Sequence, residues 1–308
     1  ELARRRRSAE DRVIGRTLRA LRTMRGVIAS HPLTRNEPTR AWLRLVWWVV
    51  LSRLMGEINL PWVDGQRLIV RRGMTGATGN VYLGLHEFMS MMLTIHFLRE
   101  DDLFLDVGAN VGTYTVLASG VCRATTWAFE PDAAAVHDLA RNVEVNRLGG
   151  RVEIHAVALG PTDGEVSFTH GEGALNRVAS AEDRDVHLVP QRTLDSMMVG
   201  RAPAKIKLDV EGYEEQVLQG ATRTLANPEL RVVSLEGTTP AILKALADNG
   251  FERAFYDPFT RVLQRTPNDL ALRDGVWTLS NEFYVRDWPF VEKRLKTAPS
   301  VTVLGRTI

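Results

Sequence analysis

The sequence predicts an α/β fold built on a mostly parallel sheet, with a helical extension in front. Three observations predict it. From Asp102 onward, short apolar runs alternate with amphipathic stretches, the pattern of strands joined by crossover helices. Two glycines, Gly108 and Gly112, sit directly between the first such strand and its helix. The charge also shifts along the chain. Residues 1–72 hold 16 arginines against 6 acidic residues, so the total of +2 hides a basic front and an acidic body. The expected division is a basic helical extension over 1–72 and one α/β domain over 73–308.

The elements follow in order. Four arginines at 4–7 precede Ile14, Leu18, Leu21 and Met24, whose spacing predicts a basic helix with one apolar stripe. Pro32 and Pro38 end it. Residues 41–55 read as a second helix, apolar almost all round and carrying Trp42, Trp47 and Trp48, which predicts burial between layers or subunits. Strand-like pieces are expected at 67–71 and 80–83, separated by glycines. A helix over 87–98 places Phe88, Met92 and Ile95 on one face, with its methionines as core packing. The alternating region gives strands at 103–107, 125–129, 152–157, 204–208 and 230–235. Helices are expected at 111–119, 133–146, 214–225 and 240–247. A turn-rich region covers 160–189, and the runs 251–256 and 283–286 suit an antiparallel pair at the sheet edge.

Composition sets further bounds. A hydrophobic fraction of 44% with 25% charged residues excludes wholesale disorder. One cysteine, Cys122, excludes an intrachain disulfide and a cysteine zinc cluster, and favours a reducing compartment. The longest strongly apolar run, 45–51, falls short of the roughly 18–20 residues of a membrane span. No secretory pattern opens the sequence, so a cytoplasmic location is expected. No two of the seven histidines share a ligand spacing with a third nearby, so no metal site is expected.

The first strand of the alternating region ends Phe104-Leu-Asp-Val-Gly-Ala-Asn-Val-Gly112. Glycines after a strand and before a helix let the backbone approach a ligand closely, although many such turns are purely structural. The dinucleotide fingerprint is not met, because Asn110 and Thr113 stand where its second and third glycines belong. Glu130, in Ala128-Phe-Glu-Pro131, ends the next strand 22 residues beyond Gly108. An acid there is placed to accept hydrogen bonds from a ribose diol at the carboxyl ends of the strands. A ribose-bearing small molecule is the expected ligand.

Together with Ile206-Lys-Leu-Asp-Val-Glu-Gly-Tyr-Glu214, Val217-Leu-Gln-Gly-Ala221 and Thr193-Leu-Asp195, these motifs resemble the FkbM family of S-adenosylmethionine-dependent methyltransferases over roughly residues 82–257. The resemblance implies a class I methyltransferase (Rossmann-like) fold, with a seven-stranded, mostly parallel sheet and a terminal antiparallel hairpin. It implies S-adenosylmethionine as cofactor and methyl transfer to a hydroxyl of a carbohydrate, glycolipid or polyketide-type acceptor. Carried over, Asp106, Gly108, Ala109, Asn110 and Gly112 would surround the amino-acid end of the cofactor. Glu130 and Pro131 would flank the ribose, and Val157 and Ala158 would lie at the adenine. The reading from another class is a cofactor-binding partner without turnover in a biosynthetic complex.

The stretch 205–212 is informative without any family. Lys205, Lys207, Asp209 and Glu211 share one face if the strand stays regular that far. Charges on a central parallel strand are costly unless paired or opened to a cleft. Asp209 or Glu211 is the expected base for the acceptor hydroxyl, with the other orienting it and Lys207 tuning both. The competing reading is a buried Lys207–Asp209 pair with Glu211 capping the next helix. Glu236, His86, Glu87, His170, Asn176 and Arg177 are further cleft candidates, each with a plainer role in capping or in a solvated loop.

Nucleic acid is not expected as a partner, since the body carries 23 basic against 31 acidic residues and would repel a polyanion. The basic front suits either a cap and homodimer element with solvated arginines or peripheral contact with an anionic membrane.

Overall fold

A computed structural model describes residues 19–169, 176–180, 182–267 and 281–308. Helix α1 covers 19–30 and α2 spans Pro38–Leu54; the arginines at 4–7, with Ile14 and Leu18, lie outside the described residues. A hairpin of β1 (Glu57–Pro61) and β2 (Arg67–Arg71) follows, then α3 (Thr75–Leu83) and α4 (Phe88–Phe97). The alternating region runs β3 (Leu103–Val107), α5 (Thr113–Val116, continuing into a π turn over Leu117–Val121), β4 (Thr125–Phe129), α6 (Ala133–Val145) and β5 (Val152–His155). Next come β6 (Ala158–Leu159), β7 (Gly164–Thr169), β8 (Val186–Arg192), α7 (Leu194–Met197), β9 (Lys205–Leu208), α8 (Glu214–Gln219) and α9 (Thr222–Ala226). The chain continues with β10 (Val232–Leu235), α10 (Pro240–Asp248), β11 (Glu252–Asp257), β12 (Val262–Gln264), β13 (Glu282–Val285), α11 (Trp288–Lys296), β14 (Thr302–Val303) and β15 (Arg306–Thr307).

The main sheet has the order β12-β11-β13-β10-β9-β3-β4-β5, with β10, β9, β3, β4 and β5 parallel. β13 enters antiparallel between β10 and β11, so the late strands pair as expected. The added edge strand β12 makes eight strands rather than seven. Alternation along β3 feeds two cores. Phe104 packs with Met91, Phe97 and Val291 on one face, and Leu105 with Ile206, Val217 and Ile242 on the other. The methionines of α4 are core, and the helix is buried on nearly every side rather than along one stripe.

Several expected elements are changed by packing. Residues 80–83 end helix α3 instead of forming a strand. Gly79 lets the His86 ring lie where a Cβ would collide, and the Asn80 amide accepts from the His86 N–H at 2.7 Å. The single helix expected over 214–225 is two, interrupted at Gly220 and Ala221 (φ −125°); Gly220 abuts the Gly160 carbonyl so closely that no Cβ fits. The region expected to be turn-rich forms the β7–β8 hairpin of a second, three-stranded sheet. The Thr193-Leu-Asp195 motif is structural here: Thr193 caps α7, and Asp195 accepts from Thr224 N–H and Oγ1 at 2.8 Å each.

Helix α2 is buried on one side only. Ala41, Trp48 and Ser52 are buried, whereas Leu43, Val46, Trp47, Val50 and Leu54 are exposed, so burial on all sides is not met. β2 docks on α6, where Asn146 and Asn142 accept from the Arg67 and Ile69 N–H groups at 2.6 and 2.7 Å. Asn142 also donates to the Val111 carbonyl at 2.8 Å, tying the front segment to the turn after β3. No helix among the described residues is long and apolar enough to cross a membrane.

Candidate active site

A cleft opens at the carboxyl ends of β3, β4, β9 and β10, where α/β sheets bind ligands. Its floor is the turn after β3. Gly108 has φ +74°, and a Cβ there would collide with the Asp209 carbonyl oxygen, so the turns after β3 and β9 meet only because this residue is glycine. Gly108 and Ala109 each donate to the Phe129 carbonyl at 3.0 Å. Asn110, also left-handed, donates its N–H to Glu130 Oε2 at 2.8 Å, while the Asp132 N–H reaches Oε1 at 2.9 Å.

Glu130 is thus fixed by two backbone donors yet lines the cleft. Burial pushes its pKa up to about 7. A carboxylate has about four lone-pair positions, so two N–H donors leave room for a diol. Pro131, Val157 and Ala158 line the adjoining wall, with Phe129, Leu159 and Phe168 making an apolar slot. Val157 and Ala158 themselves offer no acid, and Asp132 lines the cleft beside them. A glycine floor, a fixed acid and an apolar slot fit a nucleoside cofactor.

Three of the expected cofactor residues stand behind this wall. Asp106 is buried, accepts from Thr115 Oγ1 at 2.6 Å and has its pKa raised by burial. Ala109 packs beside Val116 and Leu139, so only its backbone serves the turn. Gly112 opens α5 with φ +85°, and a Cβ would strike Leu139.

The other half of the cleft gathers carboxyls. β9 is regular only to Leu208. Lys205 is fully buried, donates to Ser234 Oγ at 2.6 Å, and burial lowers its pKa to about 7. Lys207 is buried too, with its ammonium 2.8 Å from Asp209 Oδ2 and 4.7 Å from the Tyr114 ring centre. Burial opposes its charge, but Asp209, Asp106 and Glu87 overcome that and hold the pKa above the ordinary value. The same ammonium outweighs burial at Asp209 and keeps that carboxyl below its usual range.

The same-face expectation fails at Glu211, whose left-handed backbone (φ 52°) breaks the alternation. The turn nevertheless brings its carboxylate to the cleft, and oxygens of Asp209, Glu211 and Glu236 lie within 4.8 Å of one another. The Lys207–Asp209 pair of the competing reading does form. Its helix cap does not: Glu214, not Glu211, reaches back to the Val210 and Gly212 N–H groups at 3.3 Å. Burial, then the charge of Asp209, pushes Glu236 up to about 8, and burial raises Glu211. Three carboxylates of this kind suit a hard cation, but the Lys207 ammonium already balances one of them.

Glu87 begins α4 without capping it. It accepts instead from Tyr114 Oη and Asn281 Nδ2, each at 2.6 Å, and lines the cleft with His86. Burial raises Glu87 and lowers His86. Tyr114 and Asn281 were not singled out in the sequence, although Tyr114 lies two residues past Gly112 on the helix that the turn initiates. Asn176 lines the cleft and donates to Asp132 at 3.0 Å, whereas Arg177 pairs with Asp183 at 2.9 Å. His170 lies outside the described residues.

Fold and cleft define a Rossmann-like α/β protein with a ligand cleft at the carboxyl ends of its parallel strands. Residues 106–253 match the family described as the methyltransferase FkbM domain. The chain is 29% identical over 146 residues to hexuronic acid methyltransferase AglP of Haloferax volcanii, covering 46% of this chain and 59% of that protein. Among solved structures, an FkbM methyltransferase from Methylobacillus flagellatus is 16% identical, covers 78% of this chain and 59% of that one, and has a TM-score of 0.42. A precorrin-6y C5,15-methyltransferase from Geobacter metallireducens is 13% identical, covers 66% of this chain and 90% of that one, and has a TM-score of 0.37.

Proposed function

We propose that the chain is an S-adenosylmethionine-dependent O-methyltransferase acting on an uncharged sugar hydroxyl. The observation that carries this reading is the fixed Glu130 and glycine floor on one side of the cleft, facing the Asp209–Glu211–Glu236 cluster on the other. S-adenosylmethionine, when bound, supplies an activated methyl group. Glu130 would hold the ribose hydroxyls, and the slot at Val157 and Ala158 the adenine.

The remaining work falls to the carboxyls. The acceptor must be oriented in line and must lose its hydroxyl proton. Asp209, held ionised by Lys207, is a fixed hydrogen-bond acceptor for that hydroxyl. Its depressed pKa makes it a weak proton acceptor. At Glu211 burial and the charges of Asp209 and Glu214 outweigh Lys207 and Arg177 and raise the pKa, so it is the better base of the two. Glu236, near 8, is largely protonated at neutral pH and donates within the cluster.

The cleft wall also speaks to acceptor charge. It presents Glu87, Asp209, Glu211 and Glu236, with no lysine or arginine among its described residues, and His86 is kept neutral by burial. The Haloferax relative is named for a hexuronic acid. Here a second carboxylate would stand near the ionised Asp209, on a wall that offers it no lysine or arginine.

Calorimetry with S-adenosylmethionine, followed by transfer of labelled methyl to paired hexoses and hexuronates, tests the reading. Neutral sugars should be preferred by roughly tenfold or more, about 1.4 kcal/mol. Failure to bind the cofactor overturns the assignment; binding without transfer to any hydroxyl supports the non-catalytic partner. Equal use of hexuronates removes only the acceptor-charge argument.

A further inference from the structure

We propose that the outer face of α2, with the arginines alongside it, docks on an anionic membrane surface. Leu43, Val46, Trp47, Val50 and Leu54 recur at helical spacing and so lie along one stripe. They are 69, 56, 43, 48 and 76% exposed, although the opposite side of the same helix is buried against the body. Isolated exposed apolar residues need no explanation, but a three-turn stripe that includes a tryptophan does.

Charge identifies the occupant. At 100° per residue, Arg40 and Arg53 fall on opposite flanks of the stripe, the placement that lets long cationic side chains reach headgroups while the stem covers apolar surface. Arg53 is exposed and donates only to the Val49 carbonyl of its own helix, at 2.6 Å. The neighbouring α1, packed on α2 through Ile28 and Ala41, adds exposed Arg19, Arg22 and Arg25. A second copy of the chain on this face would offer these arginines no counter-charge from the apolar stripe, whereas lipid phosphates would neutralise them. At 17 residues, with Arg40, Arg44 and Arg53 inside it, α2 lies on a bilayer rather than through it.

Co-sedimentation of the full chain with phosphatidylcholine vesicles, with and without phosphatidylglycerol, tests the proposal. Binding should be at least roughly tenfold stronger with the anionic lipid and should weaken as salt is raised. Replacing Val46→Asp with Val50→Asp should abolish it, with the melting temperature as the check on folding. Arg22→Gln with Arg25→Gln should weaken it several-fold without touching the core. Absence of binding to anionic vesicles overturns the proposal. So does equal binding to neutral vesicles, or a dimer in light scattering that the Val46 and Val50 substitutions dissociate and that ignores vesicles.

Discussion

The two halves of the cleft are held in place by different means. On the side proposed for the cofactor, backbone N–H groups fix one buried acid, and a glycine brings two turns into contact. On the acceptor side, side chains from β9, β10 and the start of α4 face one another, and their charges set their protonation. Backbone geometry is insensitive to pH; a carboxyl cluster is not. The first half should therefore be most sensitive to sterics at its glycine, with Glu130 as its titrating acid, and the second to charge throughout.

The largest expected effect is from Gly108→Ala. The left-handed conformation alone costs about 1–2 kcal/mol, and the collision with the Asp209 carbonyl adds to it. Cofactor binding by calorimetry should be lost and the melting temperature should fall by several degrees. Next, Glu211→Gln should lower kcat roughly 100-fold while cofactor affinity holds, and Asp209→Asn should lower it similarly. If turnover survives both substitutions, the base lies elsewhere.

Glu130→Gln should weaken cofactor binding by about 2 kcal/mol, since an amide must turn its NH2 toward one of two N–H donors. Its pH signature has a definite sign. The folded pKa lies above the unfolded value, so the folded state binds the extra proton. Cofactor-free stability should fall as pH rises from about 4.5 to about 7, and the glutamine variant should lose that slope. Denaturant titrations across that window measure it. The smallest effect is expected from Glu236→Gln, which should remove an inflection near pH 8 from the rate profile and change the neutral-pH rate little. A profile that keeps its inflection would separate Glu236 from the cluster.

Much of the geometry around Gly108 and Glu130 was legible in the sequence because strand, glycine turn, helix and acid follow one another within a single βαβ unit. Local order along the chain is there nearly equivalent to position in space. Less of the acceptor half was legible. Glu87 reads as a cap until Tyr114 and Asn281 are seen to claim it, and Glu211 appears to extend a strand that ends before it. The helix expected at 41–55 is present, but no hydropathy pattern says which of two apolar sides is covered.

The sequence by itself determined the α/β class, the order of the alternating elements and the placement of the Gly108 turn and Glu130 at neighbouring strand ends, since these depend on periodicity and short spacing. The tertiary structure decided which carboxyls meet, how Lys207 divides charge among them, and which stripe of α2 stays in solvent. Those outcomes depend on groups far apart in the chain, brought together by the placement of β9 between β3 and β10. Interaction between charges falls with distance in space and takes no account of distance along the chain.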